Sequence, residues 1–346
     1  MNNFSNQSLS ALISDVLSTD ITSIRKFLLS NPEEPLICTG SGGAETAGDF
    51  AALLYGARGG VATSVSPYTF NSYSDATLKT SKLLIFSAGG HNNDALFAAK
   101  RALSVHPEKA ASLCLHGGDR NEVDKHYQKA GSSLSFITPV RKPHDGFVSV
   151  GTPLAYYALL ARIFDPDCDL LKYSQIPQVS YTLTLNDGTP LAPEELKKVR
   201  SYIVLQGSWG RPVSLNLEGK LTESGLAPAS VYDFRNYCHG RFIYTSQHLD
   251  DSAVVMFVSP RERDIAARTR AWLPASTKLI IIETSEDSPL ASFDLLVKAT
   301  SLFLDLCDIT GASYDTPKNP GRIDKRKPMW VPFMSEMKKN GPLTIR

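Results

Sequence analysis

Two glycine-rich stretches carry residue types suited to holding a polar ligand. Gly40-Ser41-Gly42-Gly43 follows the apolar run LICT and precedes ETAGDFAALLYGA, a helical pattern. Ser87-Ala88-Gly89-Gly90-His91-Asn92-Asn93-Asp94 follows LLIF and precedes ALFAAKRAL. A loop between a strand and a helix converges backbone N–H groups and a helix N-terminus on one point, which suits an anionic or polar ligand. Neither loop is a dinucleotide fingerprint: Glu45 stands where a third glycine would fall, and no P-loop lysine follows. Taken alone, GSGG reads equally as a tight strand-to-helix turn that holds nothing. His91 either touches a ligand or shares the first turn of the helix with Asn92 and Asn93.

A third group suits proton transfer. In RPVSLNLEGKLTES (211–224), Asn216, Lys220 and Glu223 are spaced i, i+4, i+7 and share one helix face beside the stripe Val213, Leu217, Leu221. A carboxylate at the edge of a buried stripe, next to a lysine, can act as a positioned base. The same pair also reads as an ordinary solvent-facing Lys–Glu contact. His239, in YCHG, reads either as an acid–base group or as a packed or capping residue. Trp209, in GSWG, either stacks on a sugar or base or simply packs. His116 and His144 read as surface or turn residues. Five cysteines, at 38, 114, 168, 238 and 307, include no CxxC, so no zinc knuckle or dithiol pair is expected. Cys38, Cys114 and Cys307 lie in apolar segments as core material, and the chain reads as reduced and cytoplasmic.

The elements that must position these residues alternate in type. LICT, VATSV, LLIFS, SLCLH and LSFIT read as strands separated by helical patterns, the last of them PLAYYALLARIF (153–164). The alternation resumes with YIVLQ, AVVMFV and KLIIIE, and ends in the amphipathic run FDLLVKATSLFLDL (293–306). Apolar strands alternating with helices predict parallel sheets covered on both faces. Residues 166–194, dense in proline and carrying Asn186-Asp187-Gly188, read as a linker or irregular excursion. The halves look duplicated: LICTGSGG matches IVLQGSWG at an offset of 167, and LLIFSAGGHNND matches VVMFVSPRERD at 171. LCL at 113–115 then falls on III at 280–282. The expected organisation is N-terminal helices over 1–32, one α/β unit over 33–165, the linker, and a second unit with a tail over 195–346. The 346 residues suffice for two cores, and a net charge of +1 gives no global signature for nucleic acid or membrane. No apolar run approaches a membrane span, and the N-terminus lacks a secretory pattern.

In order and spacing these segments resemble the sugar isomerase (SIS) domain family, as a double-SIS chain. TGSGGAET (39–46) resembles the family's G-[TS]-S loop and FSAGGHNND (86–94) its S-x-S-G-x-T cup. DGFVSVGTPLAYYALL (145–160), which includes Val148, fits the segment entering the closing helix, and DTPKNPGR (315–322) the D-x-P-R-N-L-x-K tail. In the second half the chain is similar to glucosamine-6-phosphate synthase isomerase domains, fructosamine deglycases and glucosamine-6-phosphate deaminases. Their E-G-A-L-K-L-K-E helix and E-x-x-H-G-P segment fall on Asn216, Lys220, Glu223 and His239, with Glu223 and His239 separated by the family's 16 residues. The resemblance implies two tandem SIS-like units, each a parallel sheet sandwiched between helices, in a homodimer with sites near the subunit interface. It implies a sugar or sugar-phosphate ligand at Gly40, Ser41, Gly42, Ser87, Gly89, Gly90, His91 and Asn92. It implies proton transfer next to a carbonyl by Glu223, Lys220 and His239, without metal or other cofactor, and no membrane or nucleic-acid partner. The departures are Gly42, Gly89 and Asn92 in place of cup hydroxyl residues, and Arg322 in place of the tail lysine. They favour the alternative, a non-catalytic sugar- or nucleotide-binding regulatory protein on the same scaffold.

Overall fold

The computed structural model describes residues 5–117, 119–138, 140 and 146–315. Ten strands are present among them: β1 Leu36–Thr39, β2 Ala62–Val65, β3 Lys82–Phe86, β4 Ala110–Cys114, β5 Ser135–Ile137, β6 Thr182–Leu185, β7 Ser201–Gln206, β8 Ala229–Asp233, β9 Ser252–Val258 and β10 Lys278–Glu283. The chain divides into two compact units. Described residues of 11–143 and 155–167 form the N-terminal unit, and those of 1–10, 144–154 and 168–317 the C-terminal unit.

The N-terminal sheet runs β2-β1-β3-β4-β5, parallel throughout. β1, β3 and β4 are buried at every residue because helices cover both faces, which is why their sequences do not alternate. On one face Ile37, Leu83 and Ile85 meet Ala95, Ala98, Ala99 and Ala102 of helix Asn93–Val105. The other face carries helix Gly43–Ala57, whose Phe50 ring stacks on Tyr157 at 4.6 Å. Tyr156 and Tyr157 donate to the carbonyls of Leu113 and Thr46.

The C-terminal sheet runs β8-β7-β9-β10-β6. Its first four strands are parallel and follow the same order as β2-β1-β3-β4. The fifth place differs. β6 comes from the stretch expected to be a linker, and it pairs antiparallel with β10, Leu185 opposite Lys278. The sheet is therefore mixed at one edge, where a parallel one was expected. Beyond β6, Gly188, at φ +94°, closes a hairpin-like turn in which the Leu185 N–H donates to the Thr189 carbonyl. β8 is a further strand that its polar composition concealed.

Backbone pairing also corrects the offset between the halves. Cys38 pairs with Leu84, and Leu205 pairs with Met256. With Cys38 set against Leu205, Leu84 falls on Met256, an offset of 172 rather than 171. Ser87 therefore corresponds to Ser259, not Val258. The next strands pair Leu84 with Ala111 and Met256 with Ile281, so the 167 read there from LCL and III becomes 170.

Candidate active site

The first cup lies where such sheets hold ligands, at the carboxyl ends of β1 and β3. Gly42 caps helix Gly43–Ala57 at φ 59° and contributes no side chain. The second loop spans Ser87 to Asn92 before helix Asn93–Val105. The two loops are joined by a bond from Ser41 Oγ to Asp94 Oδ2 at 3.3 Å. Ser87 is buried, its N–H donates to the Leu113 carbonyl, and its hydroxyl engages no protein group among the described residues. Asn92 acts as the N-cap: its Oδ1 accepts from Asp94 N at 2.8 Å and Ala95 N at 3.4 Å. Two of the helix N–H groups that an anion could use are thus met internally. His91 is exposed, with Nδ1 3.2 Å from the Gly89 carbonyl oxygen. Gly90 adopts φ +66°, and a Cβ there would fall 1.7 Å from Asn121 Oδ1. Asn121 is pinned by Asp124 N and the His116 carbonyl, so only glycine fits.

The corresponding cup of the C-terminal unit is filled. Its second loop is shorter, Ser259 to Glu262, before helix Arg263–Trp272. The buried Glu262 carboxylate accepts from Ser208 Oγ at 3.1 Å, from Ser259 N at 3.1 Å and from Ser259 Oγ. It occupies the place where an anion would sit, at a helix N-terminus that favours negative charge. A Cβ on Gly207 would lie 2.4 Å from Glu262 Oε1, so Gly207 admits the carboxylate. Counted from the paired serines, Glu262 corresponds to Gly90. Trp209 closes the rim. It is 3% exposed, its Nε1 donates to Asp287 Oδ1 at 3.0 Å, and Arg261 lies over its ring at 5.2 Å. Of the two roles open to Trp209, the structure shows packing.

Helix Arg211–Glu223 packs against helix Leu290–Thr310. Lys220 and Asn216 are buried and bonded to each other, as their spacing predicts. Glu223 ends the helix and is exposed as a residue. Crowding around its carboxyl nonetheless raises its pKa above the ordinary glutamate value, partly countered by the Lys220 ammonium. His239 is exposed in the turn Tyr237–Arg241, with φ −85° and ψ 46°, followed by Gly240 at φ 90°.

The comparisons with known proteins add the fold. No family model matches the chain, and no curated protein matches it in sequence. Solved structures do. Tagatose-6-phosphate ketose/aldose isomerase from Escherichia coli superposes with TM-score 0.65 at 18% identity, over 91% of this chain and 93% of that one. The C-terminal domain of glucosamine-fructose-6-phosphate aminotransferase from Francisella tularensis gives 0.62 at 12%, over 90% and 96%. Glucosamine-6-phosphate deaminase from Thermotoga maritima gives 0.61 at 15%, over 91% and 98%. The fold is the double-SIS fold.

In this fold Glu223 and His239 belong to segments on different faces of the C-terminal sheet. Right-handed crossovers from β7 out to β8, and from β8 back past β7 to β9, run in opposite directions and so lie on opposite faces of the sheet. Phe234, Tyr237 and Ala266 pack on the face of Ile203, Leu205 and Met256, a cluster to which helix Arg211–Glu223 contributes nothing. Glu223 lies toward the amino edge of the sheet, while His239 follows shortly after the carboxyl end of β8. Val148 is buried, and its N–H donates to the Tyr314 carbonyl at 2.9 Å, which ties down the chain ahead of the tail. Arg322 lies outside the described residues. The sequence reading missed Asp94, Asn121 and Glu262. Asp94 was readable as an acid in a first helical turn, but no local pattern marks Glu262 as a plug. Among the described residues no cluster suits a metal ion, and no helix is long and apolar enough to cross a membrane.

Proposed function

We propose that the chain is an isomerase-type enzyme of sugar phosphates or amino sugars, acting by proton transfer next to a carbonyl; isomerisation, deamination and deglycation share that step. The observation that carries this reading is the first cup: the buried Ser87 hydroxyl has no hydrogen-bond partner among the described residues, while its counterpart Ser259 is taken up by Glu262. Ser41, Ser87 and the backbone of Gly40, Gly42, Gly89 and Gly90 hold the polar end of the ligand, with His91 and Asn92 at the rim. Glu223 moves the proton between adjacent carbons. Lys220 and Asn216 stabilise the enediol or enamine charge, and His239 assists ring opening. Arg322 replaces the tail lysine, and its guanidinium forms no Schiff base.

The raised pKa of Glu223 suits a base, because a stronger base accepts a proton more readily. Since Glu223 and His239 flank opposite faces of one sheet, the two serve one substrate only when two copies of the chain supply them, which favours a homodimer.

The test is turnover on tagatose 6-phosphate, glucosamine 6-phosphate and related sugars. Glu223→Gln should lower the rate by about 10²–10⁴ with binding within a few-fold of wild type. The acid limb of the wild-type rate profile should lie above the ordinary glutamate value of 4.5. Mixing inactive Glu223→Gln and His239→Ala chains should restore part of the activity. Full turnover by Glu223→Gln removes it as the base. Binding without any turnover by the wild type leaves a non-catalytic sugar-binding protein.

A further inference from the structure

A cavity of about 510 Å³ lies in the C-terminal unit, between the segment that follows β8 and helix Arg263–Trp272. Its wall includes Phe242, Ile265, Trp272 and Leu273, together with Arg235, Arg268 and Cys238, whose thiol donates to the Phe234 carbonyl at 3.3 Å. The volume is that of a small-molecule site, and a mostly apolar wall with a few charged groups is the usual composition of one. None of these residues belongs to either cup or to helix Arg211–Glu223.

Two observations say what the cavity fits. The first is exposed apolar surface: Trp272 is 90% exposed and Phe242 46%, although other aromatic residues of this unit, Tyr237 among them, are buried. The second is unbalanced charge. Arg235 has no carboxylate partner among the described residues. Arg268 pairs with Asp264 at 2.9 Å, with both side chains more than three-quarters exposed, so the pair is largely screened by water. Two guanidinium groups on an apolar wall complement a carboxylate or phosphate head, which they can meet with paired N–H donors.

We propose that this cavity binds a small amphipathic organic anion, one anionic head on an aliphatic or aromatic body. The body covers Phe242, Ile265, Leu273 and Trp272, and the head pairs with Arg235 and Arg268. The site is separate from the cup, although Tyr237 and Cys238 of its wall adjoin His239, and neither arginine has a part in the proposed reaction.

Cys238 is the one exposed thiol among the described residues, and it lines the cavity, so its labelling reports occupancy. The full-length chain is treated with a chromogenic disulfide reagent, with Cys238→Ser identifying the signal. Decanoate, below its micelle concentration, should slow labelling at least tenfold with a saturable dependence, whereas decanol should protect far less. Arg235→Ala combined with Arg268→Ala should raise the apparent Kd for decanoate at least tenfold, with protection in each protein measured against its own ligand-free labelling rate, because the two cations also act on the thiol. No protection by decanoate, equal protection by decanol, or undiminished protection in the double variant would each overturn the proposal. So would labelling that is blocked in the untreated protein and released on dilution, since the face would then be covered by a second copy of the chain.

Discussion

The two cups stand at the carboxyl ends of corresponding strands, β1 with β3 and β7 with β9, yet the serine hydroxyl of the first has no partner among the described residues and that of the second is bonded to a carboxylate of the chain. Both begin from a glycine after the first strand and a serine after the third, Gly40 and Ser87 against Gly207 and Ser259. What differs is three residues beyond that serine: Gly90 in one half, Glu262 in the other. In the N-terminal unit Asn121 abuts Gly90 and leaves no room for a side chain there. In the C-terminal unit a carboxylate of the chain itself takes the hydroxyl and N–H donors. The same strand order can therefore leave a serine hydroxyl unbonded among the described residues of one unit and use the matching donors internally in the other.

The largest effect expected is from Gly90→Ala. The added methyl meets a pinned, buried amide and the residue is forced to hold a positive φ. We expect a loss of about 3 kcal/mol or more in urea unfolding. A change within about 0.5 kcal/mol would mean that Asn121 does not hold the loop. Glu262→Ala comes next. It strands donors on the half-buried Ser208 and the buried Ser259 and should cost about 2–3 kcal/mol. Inorganic phosphate should then raise the thermal midpoint of this variant more than that of the wild type, because a second cup has opened. Equal shifts would remove the idea that Glu262 stands in for a ligand.

The serines give a smaller, crossed result. Ser259→Ala should cost about 1–2 kcal/mol and leave sugar-phosphate affinity alone. Ser87→Ala should be near neutral in stability but weaken binding about tenfold. The reverse pattern would exchange the roles of the cups. The smallest effect is at the rim. The Trp209 hydrogen bond, aided by the Arg261 ion pair and opposed by partial burial, holds Asp287 below its ordinary value of 3.8. A depressed carboxyl stabilises the fold above its unfolded pKa, and that contribution fades as pH falls through the folded value. Trp209→Phe should thus lose about 1 kcal/mol at pH 7 from this partly exposed bond, and the gap to wild type should shrink below about pH 4. A pH-independent gap would assign the loss to packing instead.

Local pattern made most of the scaffold legible. Helix Thr22–Leu29 and strands β1 and β10 fall where apolar spacing and flanking proline or glycine place them. The i, i+4 contact of Asn216 with Lys220 follows from helix geometry alone. β6 and β8 were not legible: both are short edge strands, and the strict Thr-Leu-Thr-Leu alternation of β6 lies inside a proline-rich, turn-rich stretch that reads as a linker. The one-residue slip between the halves had the same origin. Matching apolar strings scores side-chain type, whereas register is set by hydrogen bonds between strands far apart in sequence.

By itself the sequence determined that two α/β units follow one another, that glycine loops end their leading strands, and that Asn216, Lys220 and Glu223 share a helix face. These are consequences of period, turn chemistry and spacing within a dozen residues. Tertiary structure alone decided that Ser87 corresponds to Ser259, that Glu262 fills one cup, and that Glu223 and His239 lie on opposite faces of a sheet. Each of those depends on which strand ends are brought side by side and on the direction of each crossover, and neither is encoded in a local stretch of chain.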